Sequence, residues 1–280
     1  MKKTTCLYIS CIPLLLGLWL PLLIACCPAQ ALAATGKAAI GKADLALAAP
    51  GKESLKENLR EVIREIERKY TGESAEGIMV MQVTTQHYTR KMRMQYWSKG
   101  RDQFLVSILY PAKDEGISTL KVGKEIWNYL PKVDRVIKIP ASMMGGSWMG
   151  SHITNDDLVK ESQVADDYTF RLLEDRGEGV WVIEAIPKPE TAVVWGKLIY
   201  EIIMPDLIPQ QISYFDEEEN KVRVIRYSDV QDIDGRKIPL KMEVLPLEKP
   251  KESTTMIYEK IRFGVSLKDD FFSLRNLKKR

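Results

Sequence analysis

Few residues in this sequence could do covalent or metal chemistry. There are two histidines, His87 and His152, and four cysteines, Cys6, Cys11, Cys26 and Cys27, all near the N-terminus. An H-E-x-x-H zinc hydrolase sets two histidines on one helical face with a carboxylate between them, and neither histidine stands in such a run. There is no G-x-S-x-G elbow, no P-loop and no dinucleotide glycine fingerprint. His87 falls beside Tyr88 on a strand-like stretch and reads as a surface or packed residue. Asp156 and Asp157 are the most suggestive acid pair. Adjacent helical residues point apart, however, so capping a helix that starts at Thr154 explains them better than acid–base work. Asp166-Asp167 reads as a turn into a strand. The expectation is no catalytic set, no cofactor and no metal.

What remains is apolar chemistry. Ala141-Ser-Met-Met-Gly-Gly-Ser-Trp-Met-Gly150 places Met143, Met144, Met149 and Trp148 among three glycines. Methionine offers an adaptable apolar surface and glycine lets the backbone hinge, as in a lid over a greasy ligand. The alternative reading is a plug closing one end of a barrel.

Such a segment needs a scaffold, and the alternation of apolar residues describes one. Helical period begins at Ser54, with Glu57 completing a capping box, and Leu55, Leu59, Val62, Ile63 and Ile66 form one stripe. After Thr71-Gly72 the period becomes two and stays there. Strand candidates are Glu76–Tyr88, Arg90–Ser98, Gln103–Pro111, Ser118–Val122, Ile126–Leu130, Val133–Ile139, Tyr168–Glu174, Val180–Pro187, Val194–Met204, Pro209–Phe215, Val222–Asp229, Lys237–Pro246 and Thr254–Phe263. Clean two-face patterns, such as Met92, Met94 and Tyr96 against Lys91, Arg93 and Gln95, belong to an antiparallel sheet with one wet face. So many consecutive strands cannot stay flat; the sheet must curl toward a barrel or split into a sandwich.

Of 280 residues, 45% are hydrophobic and 28% charged, enough apolar material for a sizeable core and too much for intrinsic disorder. The net charge of +3 includes Lys2 and Lys3, the only charges before Ala34, so removing that stretch leaves about +1. Nucleic acid is not an expected partner, since no basic patch is present. Met1-Lys2-Lys3 followed by the uncharged run Leu7 to Ala25 reads as a secretory signal over residues 1–33. Two processing routes stand side by side. Ala29-Gln30-Ala31 and Ala31-Leu32-Ala33 fit signal cleavage, giving a soluble periplasmic chain. Leu23-Ile24-Ala25-Cys26 resembles a lipobox, with Cys26 as the lipidated residue of a membrane-tethered form. Residues 34–53 read as a flexible linker.

Three ordered stretches carry a resemblance: Lys124-Glu-Ile-Trp-Asn-Tyr-Leu-Pro131, Arg135-Val-Ile-Lys-Ile-Pro140 and Gly150-Ser-His-Ile-Thr-Asn-Asp-Asp-Leu158. Asp270-Phe-Phe-Ser-Leu-Arg-Asn-Leu277 adds a C-terminal signature. Together they resemble the bacterial outer-membrane lipoprotein-sorting (LolA-like) family, in its broad branch, over residues 54–280. His152 stands where that branch's motif has an acidic residue. The resemblance implies a mainly β (α+β) fold: a half-open, strongly curved antiparallel β-barrel with helices covering its concave face. It implies a carrier or acceptor of lipid or lipoprotein acyl chains in envelope transport, with an envelope transporter or exporter as a further partner. The cavity walls expected on that basis are Met79, Met81, Met92, Met94, Phe104, Val106, Ile108 and Trp127, under a lid of Met143, Met144, Trp148 and Met149. A one-residue slip would exchange the two faces of any strand. A non-ligand-binding accessory subunit docking through a sheet edge is the second reading, and a lipid-cleaving enzyme the third.

Overall fold

The computed structural model describes residues 58–160, 163–177, 179–268 and 270–279. The signal, the linker, Cys26 and the Ser54–Glu57 capping box lie outside these residues. Within them the first helix, α1 (Leu59–Arg68), is capped by Asn58, whose side-chain oxygen accepts the Glu61 amide at 3.2 Å. Val62, Ile63 and Ile66 are its buried stripe, while its arginines and glutamates face outward or into ion pairs.

Thirteen strands make one sheet: β1 (Ser74–Thr84), β2 (Thr89–Lys99), β3 (Gln103–Tyr110), β4 (Ser118–Val122), β5 (Glu125–Leu130), β6 (Arg135–Lys138), β7 (Tyr168–Arg176), β8 (Val180–Pro187), β9 (Lys197–Ile203), β10 (Ile208–Phe215), β11 (Lys221–Ile233), β12 (Arg236–Pro246) and β13 (Ser253–Phe263). Their order is β6-β5-β4-β3-β2-β1-β13-β12-β11-β10-β9-β8-β7, and neighbours pair antiparallel. The chain therefore runs out to one edge as a meander and crosses over to the other edge. It returns as a second meander that closes onto the first through β1 and β13. β6 and β7 stay apart, so the sheet is a curved barrel left open along one side.

The crossover, residues 139–167, bridges that opening. It holds two 3₁₀ turns, Ala141–Met143 and Trp148–Gly150, then α2 (Asn155–Lys160) and α3 (Val164–Asp167). A short C-terminal helix, α4 (Leu274–Leu277), follows β13. Two apolar clusters flank the sheet. The large one fills the concave side beneath α1 and the crossover. A smaller one on the convex side buries Trp97, Leu105, Leu120 and Tyr129 under Phe272 and Leu277.

Some strand ends differ from their sequence reading. β1 stops at Thr84 because the Thr85 hydroxyl accepts the amides of His87 and Tyr88 and turns the chain. His87 is thus exposed in a hairpin turn and not on a strand. β6 starts late because Pro131–Val133 forms a 3₁₀ turn ending in left-handed Asp134.

Candidate functional site

Between α1 and the concave sheet lies a cavity of about 210 Å³. Side-chain alternation builds its walls. Met79 on β1, Tyr200 on β9, Ile212 on β10, Met242 on β12, and Met256 with Tyr258 on β13 all project inward to it. Ile63 and Ile66 cover it from α1, and Trp148, Ile153 and Leu158 close it from the crossover. One end is polar. Ser98, Arg101, Gln103 and Lys121 come from β2, its turn into β3, β3 and β4, and face Glu67 and Thr71 at the end of α1.

That polar end is tied together. The Arg101 guanidinium donates to Glu67 at 3.2 Å and to Asp166 at 2.8 Å, and the Lys121 ammonium donates to the Arg101 carbonyl at 2.8 Å. Glu67 also accepts the Ala165 amide at 2.8 Å. Burial raises the Glu67 pKa, with Ala165 and Arg101 opposing that rise. Asp166 accepts from Arg60, Arg64 and Arg101, and the Arg101 hydrogen bond leads the set that holds its carboxyl far below the ordinary value.

The predicted wall residues divide three ways. Met79 and Phe104 line the cavity. Met81, Met92, Met94, Val106 and Ile108 share its face and lie buried in the same core, beside the cavity and not on its surface. Trp127 is on the opposite face. Its neighbour Ile126 points inward and is fully buried, so alternation turns Trp127 outward against the convex cluster, with the Lys138 ammonium 5.6 Å from its ring. The lid residues divide as well. Trp148 is 1% exposed and its indole donates to the Thr119 hydroxyl at 3.1 Å. Met144 and Met149 are half-buried, and Met143 is exposed.

The crossover is pinned at several points. Arg90 donates to the Met149 carbonyl at 3.2 Å, and His152 meets Thr254 at 2.9 Å and Glu252 at 3.0 Å. The His152 hydrogen bond lowers the Glu252 pKa. Thr154 and Asp157 exchange backbone-to-side-chain hydrogen bonds, the capping reading of that pair. Asp157 also receives two hydrogen bonds from Arg223, at 2.7 and 3.0 Å. Burial alone would raise Asp157, but Arg223 and Thr154 outweigh it and hold the carboxyl low. Sequence reasoning missed the walls from β9 to β13 and the Arg223 partner. Alternation in those strands was visible, as in Leu240, Met242 and Val244, but only the β1–β13 pairing brings them opposite Met79.

A family model described as "Uncharacterized protein" matches residues 100–279. The chain belongs to that family. No curated protein matches its sequence. Three solved structures share the fold. A DUF1329 family protein from Desulfovibrio piger is 20% identical, with a TM-score of 0.71, covering 79% of this chain and 98% of its own. A domain described as an outer membrane lipoprotein-sorting protein, from Vibrio parahaemolyticus, is 21% identical with a TM-score of 0.68 over 78% of this chain and 97% of its own. A LolA superfamily protein from Nitrosomonas europaea is 18% identical with a TM-score of 0.65, covering 78% and 98%. The half-open barrel of this chain is therefore of LolA-like fold. Among the described residues no helix is long and apolar enough to cross a membrane.

Proposed function

We propose that this chain is an exported carrier or acceptor, not an enzyme, that takes acyl chains of a lipid or lipoprotein into the cavity beneath α1 for envelope transport. On this reading residues 1–33 are a signal, 34–53 a linker and 54–280 the binding domain, acting in the periplasm in outer membrane biogenesis. The carrying observation is the cavity itself: an apolar space enclosed by Met79, Ile212, Met256, Trp148 and Ile153 inside an open-sided barrel. An acyl chain in water gains roughly 0.8 kcal/mol for each methylene it buries, so such a space favours alkyl chains over polar solutes. The lipoprotein-sorting description of the Vibrio structure points the same way.

Mass spectrometry of lipid co-purified from a membrane-containing preparation, with displacement of a fluorescent fatty acid from the mature chain, tests the reading. Bound lipid and saturable displacement are the expected results. A chain that carries no lipid and leaves the probe free would instead be the accessory subunit, docking through the open edge of β6, where Ile137 is exposed beside Val133 of the preceding turn.

A further inference from the structure

We propose that the polar end of the cavity holds the ester carbonyl of an acyl chain. The carbonyl accepts hydrogen bonds from the Ser98 and Thr71 hydroxyls while the alkyl chain runs toward Met79 and Trp148. This deepens the acyl-binding reading and rests on it.

Ser98 interrupts an apolar row. Met92, Met94, Tyr96 and Ser98 are the buried inward positions of β2, whereas Trp97 turns outward into the convex cluster. A hydrophobic side chain at position 98 would continue the row, yet a serine stands there, 2% exposed. Its hydroxyl has no hydrogen-bond partner among the described residues, and neither has the buried Thr71 hydroxyl in the turn after α1. Both residues line the cavity. Buried hydroxyls rarely go without a partner, and leaving one so lowers stability. Proteins break that rule mainly at functional sites.

The surroundings indicate which group the hydroxyls meet. Each charged neighbour already holds a partner: Arg101 donates to Glu67 and Asp166, Lys121 donates to the Arg101 carbonyl, and Glu67 accepts the Ala165 amide. A neutral acceptor engages the hydroxyls without burying a further charge in that network. Each hydroxyl donates one proton, and a carbonyl oxygen has two lone pairs, so one ester carbonyl can accept from both. The strands then set the direction of the chain. Met94, the β1 neighbour of Met79, lies two inward positions along β2 from Ser98, so the apolar wall begins beside the hydroxyl.

Displacement of a fluorescent fatty acid from the mature chain by methyl dodecanoate and by dodecyl methyl ether, equal in length but without the carbonyl, tests the inference. The probe's own affinity is measured for each variant. The ester should bind about fivefold more tightly than the ether, or more, since one neutral hydrogen bond corresponds to roughly that factor. Ser98→Ala with Thr71→Val should bring the ester to the ether's affinity and leave the ether unchanged. Without ligand, Ser98→Ala should unfold at the same or a higher urea concentration, because the hydroxyl it removes has no partner to lose. Equal binding of ester and ether by the unaltered chain overturns this inference and leaves the acyl carrier standing, whether or not the variants fold. An ester preference that survives the double substitution overturns it by placing the carbonyl elsewhere. Dodecanoate binding far more tightly than its methyl ester overturns it in favour of a charged head. A lowered urea midpoint in Ser98→Ala overturns it in favour of a structural hydroxyl. Failure of every twelve-carbon compound to displace the probe overturns the acyl-carrier reading itself.

Discussion

Arg223 stands at an unusual crossing of interactions. Its guanidinium meets both oxygens of Asp157 and lies 4.0 Å from the Tyr214 ring centroid and 4.4 Å from that of Trp195. Both members of the ion pair are buried. Arg223→Met should therefore lower stability by about 3–5 kcal/mol, because the remaining carboxylate is left buried without its partner. Asp157→Leu combined with Arg223→Met should recover most of that loss. Urea midpoints at constant m-value measure both; a harmless single variant would show that the pair is not what seats α2. Asp166 is the acid-sensitive counterpart. Its folded-state pKa lies below the ordinary carboxylate value, so the unfolded chain binds the proton first as pH falls. Its contribution is thus full above roughly pH 4–5 and is lost as pH drops through that value toward the depressed one. Asp166→Asn should flatten the acid side of a midpoint-against-pH curve, modestly, because the side chain is partly exposed and screened. An unchanged acid slope would remove Asp166 from the account and leave Asp157 and Glu252, also depressed, to supply it.

The crossover element combines plug and cover in one segment. Trp148 is core: buried, hydrogen-bonded to Thr119 and part of the cavity wall. Met143 is surface, at 59% exposure. Trp148→Ala should cost about 3–5 kcal/mol, whereas Met143→Ala should stay within about 0.5 kcal/mol. Thermal and urea denaturation of the two variants separates these roles; equal, small effects would make the whole segment a loose lid. The composition of Ala141–Gly150 marked it as special but could not rank its residues. Three methionines and a tryptophan among glycines suit a lid and a plug equally, and their burial depends on partners distant in sequence. His152 finds Glu252 a hundred residues away, and Arg90 reaches Met149 across 59. The Thr154–Asp157 cap was legible for the opposite reason, since its partners are three residues apart.

At the scale of the whole molecule, all thirteen strands could be seen in the sequence as period-two runs between turns, and the curl followed from their number. Their order could not be seen. Alternation says that Trp127 and Ile126 face opposite ways but not which of them faces in, and here the fully buried Ile126 is the inward one. Nor does it say that the first strand must pair with the last. That pairing, β1 with β13, is the seam joining the two meanders, and Gly77 sits in it opposite Ile261. A Cβ there would stand 2.0 Å from the Lys260 carbonyl oxygen and 2.8 Å from the Tyr96 ring, which lies wedged between Phe104 and Tyr258. The carbonyl belongs to backbone and cannot rotate away, so the strands themselves must part, beside a register shift already present at Ile78 and Met79. Gly77→Ala should then cost about 3 kcal/mol or more, at the upper end of overpacking effects. It should also loosen the coupling between the halves. In the unaltered chain far-ultraviolet circular dichroism and tryptophan fluorescence should report one coincident unfolding transition, while in Gly77→Ala the two probes should separate. Coincident transitions at an unshifted midpoint in the variant would mean that the seam yields without cost, and that the open-sided barrel is held together elsewhere.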